Sequence, residues 1–232
     1  MSLHPKHLGG LMFTLAFLSL LAAMNAVLFN VAFPLISHDL AVNTSQVSWL
    51  AVAYSLVVAI GSIIYGKLAD YLPVRRLFLI GIGLFVSGSM VGFLWHQNLF
   101  IIILARMLQA SGGSAFITLA MIAVRIMLPL NQHPLAFAAI SIGIGPLAGG
   151  FIVRWLPWPY LFLSMLISLG GAGLLLAFMP SQKITTNIIS FDYLGASLLF
   201  FFITGLLLGV NRNLWFLLLA VGVLLVLGTH LR

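Results

Sequence analysis

Residues 47–65 read VSWLAVAYSLVVAIGSIIY and run straight into GKLADYLPVRR at 66–76. The first stretch carries no charged side chain, and about 20 such residues cross a hydrocarbon core of about 30 Å as a helix. The second gathers Lys67, Asp70, Arg75 and Arg76 at the point where the apolar run stops. On either side, the same alternation of apolar block and short polar break marks eight candidate spans. They are Leu11–Pro34, Val47–Tyr65, Leu77–Trp95, Leu99–Ile122, Leu135–Val153, Tyr160–Met179, Tyr193–Val210 and Leu214–Thr229.

Composition supports this reading and excludes others. Of 232 residues, 62% are hydrophobic and 6% charged, and the acids are Asp39, Asp70 and Asp192 alone. A soluble domain carries roughly 25% Asp, Glu, Lys and Arg. A transmembrane barrel would show segments of about ten residues alternating in polarity, whereas these blocks are unbroken. The class is an all-α polytopic membrane protein. The first span is longer than a signal-peptide core, lacks a small-residue cleavage site and reads as a retained helix. The net charge of +7 is spread as single residues between apolar blocks, which argues against a nucleic-acid surface. With no cysteine in the chain, disulfides, thiolate nucleophiles and cysteine metal sites are excluded.

Lys and Arg bias in short loops sets orientation. With the N-terminus inside, Lys6, Lys67, Arg75, Arg76, Arg125, Lys183 and Arg232 fall on the cytoplasmic side, against Arg154 and Arg212 outside. An N-in, C-in chain needs an even number of spans, which eight satisfies. Trp95, Trp155, Trp158 and Trp215 then lie at outer ends, where amphipathic rings anchor. The polar stretch Pro180–Asn187 separates six spans from two, and six-helix units are a common transporter plan.

Three segments carry polar groups that need a reason. Between spans two and three, Gly66 permits close approach of a helix end, and Asp70 can accept from helix amides while pairing with Arg75 or Arg76. The result would be a charge latch; the plainer alternative is a positive-inside loop with a solvated aspartate. In span four, Arg106 lies ~11 Å from the outer end at 1.5 Å per residue. Asn25 reaches a similar depth, ~21 Å up span one. Asn25 and Gln109 can both offer amide oxygens to the guanidinium. The site reads as a substrate or proton-coupling centre, or else as an arginine snorkelling to the interface. In span five, Ser141, Gly145 and Gly149 recur at i+4, a spacing that allows close helix contact, and Pro146 removes a backbone donor.

No Asp or Glu lies within any of the eight spans, and the six histidines all fall at ends or loops. No acid, base and nucleophile share a depth, and there is no Gly-Lys-Ser/Thr phosphate loop. An enzyme is therefore not expected, nor is a cofactor or a metal.

Several motifs occur in an order that resembles a known family. Gly66-x-Leu68-Ala69-Asp70 followed by Arg75-Arg76 resembles the loop signature of the major facilitator superfamily. Asn25 through Asn30-Val31-Ala32-Phe33-Pro34 is similar to the first-helix pattern of its fourteen-helix drug:proton antiporter branch, tetracycline-efflux-type members included. Arg106-x-x-Gln109-x-x-Gly112 resembles the fourth-helix arginine motif, and Gly145-Pro146-x-x-Gly149-Gly150 the antiporter motif of the fifth helix. Phe191-Asp192-Tyr193-x-Gly195 is similar to the start of the two helices that separate the halves in that branch. Departures are Tyr71 for a usual arginine, Pro73 and Ala110 for usual glycines, and Asn25-Ala26 where related antiporters often place an acid.

The resemblance implies a six-helix N-terminal transporter domain at 1–180, a polar linker at 181–192 and two additional helices at 193–232, without the C-terminal six-helix half. It implies efflux of amphipathic or cationic small molecules in exchange for protons, by alternating access, in the bacterial inner membrane. Asn25, Arg106 and Gln109 would lie in the substrate cavity, with Gly66, Asp70, Arg75 and Arg76 as the cytoplasmic latch. Gly145, Pro146, Gly149 and Gly150 would form the hinge. The proton carrier would be Asp39, Asp70 or a group in a partner half, which could be a separate chain or a second copy. The alternatives are a non-transporting truncated or partner half and an uptake transporter for another solute.

Overall fold

The computed structural model describes residues 5–127 and 145–180, and side chains within residues 8–127 and 150–180. The seventh and eighth spans, the 181–192 linker, Asp192, Ser141 and the first part of span five lie outside the described residues. The elements are α1 (Pro5–Leu28), a 3₁₀ turn (Phe29–Ala32), α2 (Phe33–Asp39), α3 (Thr44–Val47), α4 (Trp49–Leu68) and α5 (Val74–Leu94). After these come α6 (Leu99–Met127), α7 (Gly145–Trp155), α8 (Tyr160–Ser164), a 3₁₀ turn (Met165–Ile167) and α9 (Ser168–Phe178). Among the described residues there is no strand, and five helical segments are long and apolar enough to cross a membrane: Leu8–Asp39, Thr44–Leu68, Val74–Leu94, Leu99–Met127 and Tyr160–Phe178.

The first span does not stop at Pro34, as the sequence suggests, but continues to Asp39. Proline lacks an N–H and fixes φ, which suits the first turn of a helix. Here the 3₁₀ turn at 29–32 intervenes, and Pro34 falls in the opening turn of α2. The turn after α2 places Ala41 at φ 50°, and the Ser37 hydroxyl ties it by donating to the Val42 carbonyl at 2.6 Å. The next span starts earlier than Val47, because Asn43 opens α3 with its backbone N–H on Gln46 Oε1 at 3.0 Å.

Helical periodicity decides which side chains meet. In α1 the buried positions Leu11, Leu15, Leu18, Ala22 and Asn25, with Phe29 beyond them, follow one another at three or four residues. In α6 the series is Ile102, Arg106, Gln109, Gly113, Phe116, Ala120 and Ala123. Steps of three and four keep one face of a helix, so both polar clusters lie on the packed stripes. α6 is central, packing against α1, α4 and α5. Lipid is as apolar as leucine, so close packing and interhelical hydrogen bonds hold such helices together. Gly88 of α5 meets α6 so closely that a Cβ there would stand 2.7 Å from both Ala105 O and Gln109 N. A Cβ at Gly112 would collide in the same way with Gly81 O and the Phe85 backbone.

The two ends of the bundle are tied differently. At one end Arg75 Nη1 and Nη2 donate to Met179 O and Leu176 O at 3.0 and 3.2 Å, which serves the open carbonyls of the C-terminus of α9. At the other end the Trp158 indole N–H donates to Asp39 Oδ2. Trp95 and Trp155 are exposed there, as interfacial rings would be, but Trp158 is buried.

Candidate functional site

Arg106 is 1% exposed, so its guanidinium does not reach the membrane surface. Its Nη1 donates to Asn25 Oδ1 of α1 and to Gln109 Oε1 one turn along α6, the latter at 3.0 Å. Nη2 donates to the Asn25 backbone carbonyl at 3.1 Å. Arginine can only donate, so both amides must turn their oxygens toward it. That fixes the next bond, in which Gln109 Nε2 donates to Ser89 Oγ of α5 at 2.8 Å. The Ser89 hydroxyl donates in turn to Phe85 O at 2.9 Å. A directed chain of donors thus runs from the arginine along α6 into α5, with a separate branch to Asn25 of α1.

Aromatic faces complete the shell. The Arg106 Cζ lies 4.2 Å from the ring centroid of Phe29 and 4.1 Å from that of Tyr54, within the range of cation–π attraction. Phe29 leans on Phe162 with centroids 4.6 Å apart, and the Tyr54 hydroxyl donates to Ala22 O at 3.5 Å. Among the described residues, therefore, a buried cation is compensated by neutral dipoles and ring faces. Two donors of the cluster, Arg106 Nε and Asn25 Nδ2, are buried with no partner among the described residues.

The remaining candidate residues are more dispersed. Gly66 has open space where a Cβ would stand, with no atom of the described residues within 4 Å. Asp70 and Arg76 are exposed, and among the described residues Asp70 makes no ion pair; the one bridge is His38 with Asp39 at 3.4 Å. Arg75 directs its donors to the end of α9 instead of to Asp70. The α5 N-cap is Pro73, with no side-chain bond to its amides. Gly145, Pro146, Gly149 and Gly150 all lie on α7, where Gly150 again faces open space.

Among the described residues, two recesses lie near these helices. One, of about 380 Å³, lies among α4, α5 and α6 and is apolar, lined by Val57, Ile60, Ile64, Leu77, Ile80 and Ser111 among others. The other, of about 420 Å³, is at the Asp39 end, with His96, Gln97 and Trp158 in its wall. Arg106 lines neither. The sequence reading missed Ser89, Tyr54 and Phe29. Ser89 was detectable as a hydroxyl beside Gly88 in a mostly apolar span, whereas the two rings had nothing to separate them from other aromatic residues in the spans.

A family model described as Major Facilitator Superfamily matches residues 15–228. The chain belongs to the major facilitator superfamily. Similar curated relatives include the riboflavin transporter RibZ of Clostridioides difficile, 29% identical over 200 residues, covering 83% of this chain and 44% of that protein. The putative multidrug resistance protein MdtD of Cronobacter sakazakii is 27% identical over 214 residues, covering 89% of this chain and 45% of the relative. The protein of the same name from Yersinia pestis is 29% identical over 179 residues, with 74% and 38% covered. The chain thus spans about half the length of the curated relatives it matches. Members of this superfamily are membrane transporters and not enzymes.

Proposed function

We propose that the chain forms the N-terminal unit of an efflux transporter for amphipathic small molecules, working by alternating access against a second six-helix unit. Residues 1–180 are the moving domain, 181–192 the linker and 193–232 two further helices. The observation that carries this reading is the enclosure of Arg106 by groups from α1 (Asn25), α4 (Tyr54) and α6 (Gln109). A permanent charge at that depth costs at least about 2.5 kcal/mol on insertion scales, and its retention is most simply explained by use. Asn25, Arg106 and Gln109 are then the polar floor of the substrate path, and Arg75 holds the cytoplasmic ends of α5 and α9 together. Proton exchange falls to Asp39, Asp70 or the second unit, because none of the described spans has an acid in its interior.

The test is gradient-driven accumulation of amphipathic dyes in everted bacterial inner-membrane vesicles containing the whole transporter. Arg106→Ala, at matched expression, should abolish accumulation; unchanged flux would overturn the assignment. A second reading, movement of a flavin-like metabolite, is favoured by the relative named as a riboflavin transporter. Competition of dye flux by riboflavin separates the two.

A further inference from the structure

The Arg106 site combines a fixed positive charge with incomplete satisfaction. Its protein acceptors are three neutral oxygens: Asn25 Oδ1, Asn25 O and Gln109 Oε1. The described carboxylates, Asp39 and Asp70, lie at the two ends of their spans. Among the described residues the Nε–H of Arg106 and the amide of Asn25 remain buried and without an acceptor. A buried donor left unpaired costs about 1–3 kcal/mol, and a buried charge is ordinarily paired. Both deficits have one chemical remedy, an anion. The Nε–H and Nη2 edge of a guanidinium is the edge that a carboxylate engages with two bonds. Among the described residues that edge holds a single carbonyl, Asn25 O on Nη2, and the second unpaired donor, Asn25 Nδ2, belongs to the same residue, whose Oδ1 accepts from Nη1.

We propose that Arg106 Nε and Asn25 Nδ2 form a binding site for a monovalent anionic group, either a small free anion or the carboxylate of a transported solute. The route of that group rests on the transporter reading above, but its binding does not. Phe29 and Tyr54 cover the guanidinium face, so entry requires α1 or α4 to part from α6. The anion supplies the counter-charge that the described spans lack, and the site selects against a cationic centre placed beside Arg106.

Asn25→Asp is nearly isosteric and builds the counter-charge into the protein. The experiment measures the melting temperature of purified full-length protein in detergent, titrated with chloride or with acetate at constant ionic strength, a bulky sulfonate being the replaced anion. The wild type should be stabilised in a saturable way by at least one of the two. Asn25→Asp should melt higher without added anion and lose the response, and Arg106→Gln should lose the response as well. Saturation by chloride assigns the site to a free anion, and saturation by acetate with chloride inert assigns it to a solute carboxylate. A wild type indifferent to both anions, or an Asn25→Asp variant with an undiminished response, would overturn the proposal. Because the readout is binding, loss of flux in vesicles bears on the transporter reading alone.

Discussion

Trp158 donates its indole N–H to Asp39 Oδ2 at 2.9 Å, joining residues 119 apart in the chain. The indole is buried, and the His96 ring meets it edge-on at 5.8 Å between centroids. The bond fastens the end of α2 to the turn before α8. Hydrogen bonds to charged groups contribute about 1.5–3 kcal/mol when buried, and the half-exposed carboxylate puts this one nearer 1 kcal/mol. Trp158→Phe should lower stability by about that amount beyond the effect of ring size. In a cycle with Asp39→Ala, the coupling read from thermal melts should be about 1 kcal/mol; a coupling of zero would show the contact to be incidental.

Arg75 and Arg76 are adjacent in sequence but should respond differently to substitution. Arg75→Ala frees two carbonyls at the end of α9, a loss of about 1–2 kcal/mol, and hydrogen exchange should quicken in residues 175–179. Arg76 is exposed, so Arg76→Ala should stay within about 0.5 kcal/mol of the wild type. Equal exchange in the two variants would remove the capping role.

Glycine substitutions separate close packing from open surface. Gly112→Ala forces a methyl into the α5 backbone and should cost about 3 kcal/mol or more, at the upper end of overpacking effects. Gly66→Ala enters open space within α4, where alanine is favoured over glycine by about 0.5–1 kcal/mol. Melting temperatures should move in opposite directions.

At the centre, Tyr54→Phe keeps the ring over Arg106 and loses only the long bond to Ala22 O, so it should remain within about 0.5 kcal/mol of the wild type. Tyr54→Leu removes the cation–π contact and should cost about 2 kcal/mol. Ser89→Ala leaves Gln109 Nε2 unpaired, an expected loss of about 1–3 kcal/mol. Should Tyr54→Leu match Tyr54→Phe in melting temperature, the ring contributes volume and not attraction.

Much of this architecture is legible in the sequence, because apolar run length sets span length and a helical period sets which face packs. Asn25, Arg106 and Gln109 could be brought to one depth by counting 1.5 Å per residue. Span ends were less legible: Pro34 reads as a stop, yet proline is compatible with a helix wherever it falls in a first turn. The partner of Arg75 was hidden for another reason. A backbone carbonyl at a helix end has no residue identity, so no pattern in the side chains points to Leu176 or Met179. Trp158 was misassigned to the lipid interface because a tryptophan at a span end looks the same whether its N–H meets water or a distant aspartate.

The 3₁₀ turn at Phe29–Ala32 has a consequence for how the first span could act. Four residues wound at three per turn advance the side-chain direction by about 80° more than four wound at 3.6. The span is therefore a screw with a phase step in its shaft. Phe29, over the guanidinium, sits on that step, and Asp39, holding Trp158, lies beyond it. Rewinding the step to an even pitch would turn Phe29, at its start, by only about 20° and Asp39, beyond it, by the full 80° or so, so the grip at the mouth would slip while the one at the centre held.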